Sequence, residues 1–464
     1  MKYTDHNTVE ELKIAYVGGG SQGWAWHLMS DLAVADDISG EIALYDINYK
    51  AAKTNEIIGN RYKDLPDCAS KWNYYATETL EEALTGADFV VISILPGTFD
   101  EMAVDVHTPE KYGIYQSVGD TTGPGGLMRT LRTVPQIEVI ARGIEKCCPN
   151  AWVINYTNPM TQCIKALYNT FPGIRAFGCC HEVFGTQKLL VSALADMRGI
   201  KDVHRSEIKI NVVGINHFTW INKATWRGED LLPIYREFAE KYKDTGFNGK
   251  AEINWMNSAS ANSSRVKFDL FLRYGAIAAA GDRHLAEFCP KSWYLTSEKQ
   301  ANSWGFGLTT VDWRKKRQSD LLEEGRKKAS GEQPVVIRRS EEEGVMQMRA
   351  LLGLCDFVTN VNIPNMGQIP NLPMGTIVET NAAFRDGQLT PVFAGPIPAE
   401  IDAMVRRIAS AQLMLAEAAK ERDLEKAFAV FVNDPLVDLP VSEARKLFDE
   451  MVEGTKEYLQ EYLK

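Results

Sequence analysis

Residues 12–23 read "LKIAYVGGGSQG", and this stretch decides the fold. Leu12 to Val17 form a short apolar run rich in strand formers, and the run stops at three consecutive glycines. Gly18, Gly20 and Gly23 then fit the spacing G-x-G-x-x-G, directly after a predicted strand and at the start of a helical pattern. In that context the glycines make a phosphate-binding turn. One permits the tight bend, one lets the backbone approach a pyrophosphate, and one allows close helix–strand packing. The helix that follows offers its free N–H groups to the phosphate. Asp46 ends the next apolar run, "EIALYD" (41–46), 23 residues after Gly23. A carboxylate there would accept hydrogen bonds from the ribose of NAD and disfavour NADP. Alone, the glycine spacing also occurs as an ordinary turn in other α/β proteins; the strand, the helix and Asp46 supply the specificity.

"DFVVISIL" (88–95) and "AWVIN" (151–155) are further strand-like runs, separated by helical patterns such as Leu80 to Leu84 and Ile137 to Ile144. Continuous apolar strands alternating with helices predict a parallel sheet covered on both faces. The expected fold is α/β: a Rossmann-like, doubly wound NAD-binding domain over 1–205 and a mixed α+β domain over 206–464. In the second part, "EIKINVVGINHFTWI" (207–221) alternates as a strand and turns at Asn216-His217. "NSASANSS" (257–264) reads as a loop, and the charge runs "RKKRQ" (314–318) and "RRSEEE" (338–343) as solvated surface. Ile401, Met404, Val405, Ile408, Ala411 and Leu415 keep the spacing of a long amphipathic helix.

Composition narrows the class. The chain has 464 residues, 45% hydrophobic and 24% charged, with a formal net charge of −10. That balance argues against a nucleic-acid partner and requires any anionic ligand to find a local basic pocket. The first ten residues are polar, and no apolar run is long enough to span a membrane. Eight cysteines without a disulfide framework predict a cytoplasmic protein.

Four polar clusters stand out. "GCCHEVFG" (178–185) holds Cys180, and Cys180 and His217 both fall near the ends of predicted strands. A thiolate and an imidazole suit a divalent metal, zinc on softness alone; a buried thiol beside a hydrogen-bonded histidine explains the same pair. "GDTTGPGG" (119–126) carries Asp120, "NYTNP" (155–159) carries Asn155 and Asn158, and "GDRHLAEF" (281–288) carries Asp282, Arg283, His284 and Glu287. Asp282 also reads as a helix cap.

The order glycine loop, Asp46, "TTGPGG", "TNP", "CCHE", "GINHFTW" and "NMGQIPNLPMGTIVE" (365–379) resembles the NAD- and manganese-dependent glycosidases of glycoside hydrolase family 4. The resemblance runs from about Lys13 to Glu379. Lactate and malate dehydrogenases share the Rossmann half but lack the Cys–His pair. The resemblance implies a glycosidase that departs from the two-carboxylate scheme. NAD takes a hydride from C3 of the sugar, and Mn2+, not zinc, is held by Cys180 and His217 and polarises the ketone. A base removes the C2 proton, the C1 oxygen is expelled, water adds, and the hydride returns. By the same resemblance Gly18, Gly20, Gly23, Asp46 and Asn155 hold NAD, Asn158 contacts sugar hydroxyls, and His181 protonates the leaving group. Relatives acting on phosphorylated sugars use a tyrosine base in the segment matching "GAIAAAGDRH". No tyrosine lies between Gly275 and His284, so Asp282 is expected as the base, with Asp120 in reserve. The Cys-His-Glu-Val run, with no proline following, resembles the α-galacturonidases, which act on unphosphorylated, pectin-derived uronides. Arg283, then His284, are expected to meet the uronate carboxylate. An α-glucuronidase or α-galactosidase would use the same machinery. A true sugar or hydroxy-acid dehydrogenase and a non-catalytic NAD-binding sensor are the competing classes. The resemblance also implies a homodimer or homotetramer.

Overall fold

The computed structural model describes residues 1–4, 7–247 and 262–464. β1 (Lys2–Tyr3) is an edge ribbon on β2 (Val9–Val17), which the glycine loop terminates. β3 (Ile38–Tyr45), β4 (Trp72–Thr77), β5 (Phe89–Ile92), β6 (Trp152–Asn155) and β7 (Arg175–Gly178) complete a parallel array in the order β4-β3-β2-β5-β6-β7. This is the doubly wound order of a dinucleotide-binding fold. Its central strands are apolar on both faces because helices cover both: Ile14, Val90 and Val153 are fully buried. The long helix Gly123–Cys147, which contains the expected pattern 137–144, packs on one side of this sheet.

The second part builds a smaller antiparallel sheet from β8 (Lys209–Ile215), β9 (Phe218–Trp226), β10 (Glu229–Asp230) and β11 (Ile277–Ala278). The β8–β9 hairpin turns at Asn216-His217, as the alternation predicts. The chain then returns to the first sheet. β12 (Phe357–Pro364) pairs antiparallel with β7 and with β13 (Ile377–Arg385), and β14 (Gln388–Pro391) closes the edge. The expected division at 205/206 falls in the turn Arg205–Glu207, while the main sheet takes three strands from beyond it. These strands escaped the reading because they are not apolar runs: Asn360, Asn362, Glu379 and Thr380 are all buried polar residues.

The amphipathic helix expected around 401–415 is Ala399–Glu421. Of the expected loop 257–264, residues 257–261 lie outside the described residues, and 262–264 lead into the helix Arg265–Tyr274. The run 314–318 lies in the helix Val311–Ser330, yet Arg314 is half-buried. Glu342 and Glu343 are also half-buried, against the expectation of plain solvated surface. Among the described residues no helix is long and apolar enough to cross a membrane.

Candidate active site

The polar clusters gather at the carboxyl ends of the parallel strands, where open α/β sheets bind ligands. At Gly18 φ is +94°, and a Cβ would lie 2.0 Å from the Ser93 carbonyl oxygen. Only glycine fits there. Cβ atoms at Gly19 and Gly20 would collide with Leu44 and with the Asp46 carboxylate and Ala51. Gly23 differs from its expected role in helix–strand packing: a Cβ there would meet nothing within 4 Å. Gly23 instead leaves open the start of the helix Trp24–Ala33, which no side chain caps. Asp46 is engaged locally. Its carboxylate accepts the Gly20 N–H at 2.9 Å and the Asn48 N–H at 2.8 Å, tying the loop to the end of β3.

Asn155, expected as a cofactor contact, also shapes a turn. It is fully buried, and its amide bonds the N–H and C=O of Thr157. That turn, which contains the cis Asn158-Pro159 bond, presents Asn158 to Asp120. Asn158 Nδ2 donates to Asp120 Oδ2 at 3.3 Å, and Arg129 Nε donates to the Asn158 carbonyl at 3.2 Å.

The centre of the site is a group of three donors. Atoms of Asp120, His217 and His284 lie within 4.8 Å of one another, and the two imidazoles stack with centroids 3.9 Å apart. His217 occupies a two-residue hairpin turn at φ +62°, a conformation that costs a non-glycine residue about 1 kcal/mol. Thr121 Oγ1 donates to Asp120 Oδ1 at 2.7 Å and lies 2.9 Å from His217 Nδ1. With the hydroxyl proton directed at Asp120, His217 must donate from Nδ1, which leaves Nε2 as the lone-pair acceptor a metal requires. Burial and the charge of His284 hold the His217 pKa down to about 3, so its imidazole is neutral.

His284 lies between two carboxylates. Nδ1 is 3.2 Å from Glu182 Oε1, and Nε2 is 3.8 Å from Asp120 Oδ1. Burial opposes its protonation, but these carboxylates outweigh burial and push its pKa well up. Burial would likewise raise Asp120 and Glu182, yet both are held low, chiefly by His284. Glu182 also accepts the Gly281 N–H at 2.7 Å, so it fixes the turn that carries His284.

Cys180 is outside the group of three. It is buried and faces the Asn216 side chain, beside the turn that bears His217; burial, then Glu379 and Glu182, push its thiol well up. Glu379, which closes the "NMGQIPNLPMGTIVE" segment, links these parts. Its carboxylate accepts from Thr219 Oγ1 (2.7 Å), Asn360 Nδ2 (2.7 Å) and Asn216 Nδ2 (3.3 Å). Cys179 is buried against Gln347.

His181 is the exposed member of the set, with 53% of its side chain accessible, and Nδ1 lies 3.2 Å from Glu342 Oε1. That contact raises its pKa. Trp24, the first residue of the helix after the glycine loop, has its ring 6.0 Å from His181 and stacks on Tyr156 at 5.4 Å.

Two expected residues serve other tasks. Asp282 is fully buried and accepts the Lys267 N–H at 3.1 Å, with Ser263 Oγ at 3.4 Å. It holds the start of the helix Arg265–Tyr274, and burial pushes its pKa up to about 6. Placed so, it is a helix-anchoring group, not an exposed base. Arg283 donates from Nε to the Gly307 carbonyl at 3.2 Å and from Nη2 to the Ser117 carbonyl, so its fork is turned to the backbone. Sequence reasoning missed Thr121, Glu342, Glu379 and Arg314. Thr121 is adjacent to Asp120 and Glu379 ends the segment 365–379, whereas Glu342 and Arg314 lie in charge runs whose composition marks them as surface.

Residues 13–196 match the family model described as "Family 4 glycosyl hydrolase", and residues 212–437 match that of its C-terminal domain. The chain is 57% identical to an alpha-galacturonidase of Thermoanaerobacterium saccharolyticum, over 99% of this chain and 98% of that protein. A Bacillus subtilis crystal structure described as a glucosidase, lplD, superposes with a TM-score of 0.90 at 49% identity, covering 96% of this chain and 100% of that chain. The 6-phospho-beta glucosidase from Thermotoga maritima, in a form with manganese, NAD+ and glucose-6-phosphate, has a TM-score of 0.76 at 22% identity, covering 96% and 99%.

Proposed function

The chain belongs to glycosyl hydrolase family 4, and from that premise we propose that it hydrolyses α-galacturonides with NAD+ and a divalent metal such as Mn2+. The observation that carries this reading is a convergence: the glycine loop follows β2, while Asn158 after β6 and Glu182 after β7 contact Asp120 and His284 of the Asp120–His217–His284 group. The full-length likeness to an alpha-galacturonidase supports the substrate class.

The residues fit both groups. The open face at Gly23 and the uncapped helix behind it suit a pyrophosphate. His217 presents a lone pair at Nε2, Cys180 lies beside its turn, and imidazole with thiolate and sugar oxygens makes a mixed site for a divalent ion. When bound, NAD+ supplies a reversible hydride acceptor at C3 of the sugar and the metal a Lewis acid for the charge that develops beside it.

The chain's own residues account for the proton movements of an elimination across C1 and C2. Asn158 orients a sugar hydroxyl and Asp120 together. We take Asp120, in preference to the fully buried Asp282, as the carboxylate that removes the C2 proton. His181 donates to the departing glycosidic oxygen, and its contact with Glu342 favours the protonated form. The local field suits an anionic sugar although the chain as a whole is acidic. The cations Arg129, Arg283, Arg314 and His284 face the acids Asp120, Glu182 and Glu287. Burial pushes Glu287 up to about 7, which leaves part of that positive charge uncompensated. All eight cysteines are free, in keeping with a reducing cytoplasmic setting.

The test is hydrolysis of digalacturonate and of p-nitrophenyl α-galactoside, α-glucoside and α-uronides, with NAD+, Mn2+ and a reductant. Galacturonate release without net NADH is expected. Stoichiometric NADH accumulation, or activity confined to neutral sugars, would refute the reading.

A further inference from the structure

We propose that Arg314 recognises the carboxylate of the substrate and so sets the preference for a uronide over a neutral glycoside; this role rests on the galacturonide reading above. The other arginines near the site are committed. Arg283 donates to the backbone at Gly307 and Ser117. Arg132 is paired at both ends of its fork with Asp105. Arg129 is 8% exposed and gives Nε to the Asn158 carbonyl.

Arg314 is different. It lies in the first turn of the helix Val311–Ser330 and is half-buried, yet its guanidinium makes no hydrogen bond or ion pair among the described residues. Its neighbours Lys315 and Lys316 pair outward with Asp100 and Asp320. Arg314 alone of these three is unpaired, and Asp120, Arg129 and Glu287 are close enough to act on its charge. Its position is fixed by the preceding loop, because the Thr309 N–H and Oγ1 both donate to the Ser117 carbonyl, three residues before Asp120.

A half-buried guanidinium without a partner is costly, since a desolvated charge normally finds a counter-ion. Asp120 and Glu287 attract this charge and Arg129 repels it, but burial outweighs the attraction and neither carboxylate pairs with the fork. A ligand carboxylate completes this arrangement: it brings one negative charge and two acceptor oxygens that match the planar fork. A neutral CH2OH group at the same place offers neither.

The experiment uses the full chain with NAD+ and Mn2+, as wild type, Arg314→Gln and Arg314→Lys. Steady-state rates on digalacturonate are paired with calorimetric titration of free galacturonate and free galactose. Arg314→Gln should raise KM for digalacturonate and weaken galacturonate binding about 100-fold, the scale of a lost charge-assisted pair. Galactose binding and kcat should change far less. Arg314→Lys, a point charge without the fork, should recover part of the loss. Equal weakening for galacturonate and galactose, or none for either, would overturn the assignment to Arg314. Wild-type activity confined to galactosides would refute the galacturonide reading itself, and this role with it.

Discussion

Replacing Glu379 with alanine should damage stability and metal affinity together. The Glu379 side chain is buried, with 1% exposure, and it receives three hydrogen bonds, from Thr219, Asn216 and Asn360. Alanine removes the carboxylate from all three donors, although Thr219 Oγ1 keeps the Ile215 carbonyl at 2.9 Å and Asn360 Nδ2 the Cys180 carbonyl at 3.4 Å. At about 1 kcal/mol for each lost hydrogen bond, the loss is roughly 3 kcal/mol before any cavity is counted. The damage is also directed. Asn216 precedes His217 and faces Cys180, and Asn360 Nδ2 lies 3.4 Å from the Cys180 carbonyl. Both proposed ligand segments therefore lose their common anchor, and Mn2+ affinity should fall about 10- to 100-fold, the usual effect of removing support behind a ligand. Glu379→Gln is the informative control. Its oxygen can serve Thr219 and Asn216, but its NH2 group must face the Asn360 amide, so the defect should be intermediate. Thermal unfolding and Mn2+ titration of the three proteins check this. A destabilised Glu379→Ala protein with wild-type Mn2+ affinity would refute the coupling, and unchanged stability would refute the hydrogen-bond reading altogether.

Other outcomes follow from single contacts. Thr121→Val cuts the link from His217 Nδ1 to Asp120 and frees the imidazole tautomer; Mn2+ affinity measured by titration should drop about 10-fold with little change in melting temperature. Glu287 has its folded pKa raised from 4.5 to about 7, so its contribution to stability is full below pH 4.5 and is lost as pH rises through 7. Glu287→Gln, which keeps an acceptor for the Val118 and Gly119 N–H groups, should remove that decline; compared with wild type in urea it should gain up to about 3 kcal/mol between pH 5 and pH 8. Gly18→Ala should fail to give folded protein, because its Cβ meets Ser93 O at 2.0 Å. Gly23→Ala should fold normally by circular dichroism but bind NAD+ more weakly in a titration, because its Cβ enters the space left open for the cofactor.

The sequence by itself determined the nucleotide half. Strand, glycine turn, helix and Asp46 are local in the chain, and backbone conformation and apolar periodicity are local physics. The polar clusters that hold Cys180, His181, Asn158, Asp120 and His217 stand out in the sequence for the same local reason, at the ends of strands or in tight turns. Tertiary structure decided what those residues face. Asp282 carries the chemistry of a base, but its burial against the Lys267 N–H makes it a helix anchor. Arg283 has the fork for a carboxylate, but backbone carbonyls occupy it. Glu182, unexplained from its neighbours in sequence, takes its meaning from Gly281 and His284 about a hundred residues away. Glu379 ends a sequence motif and Arg314 opens a charge run, but their roles are not local, because a buried carboxylate is defined by the donors around it and an unpaired cation by the partner it lacks. Residue type fixes what a side chain can do; burial and distance, set by contacts far apart in the chain, fix which of those things it does.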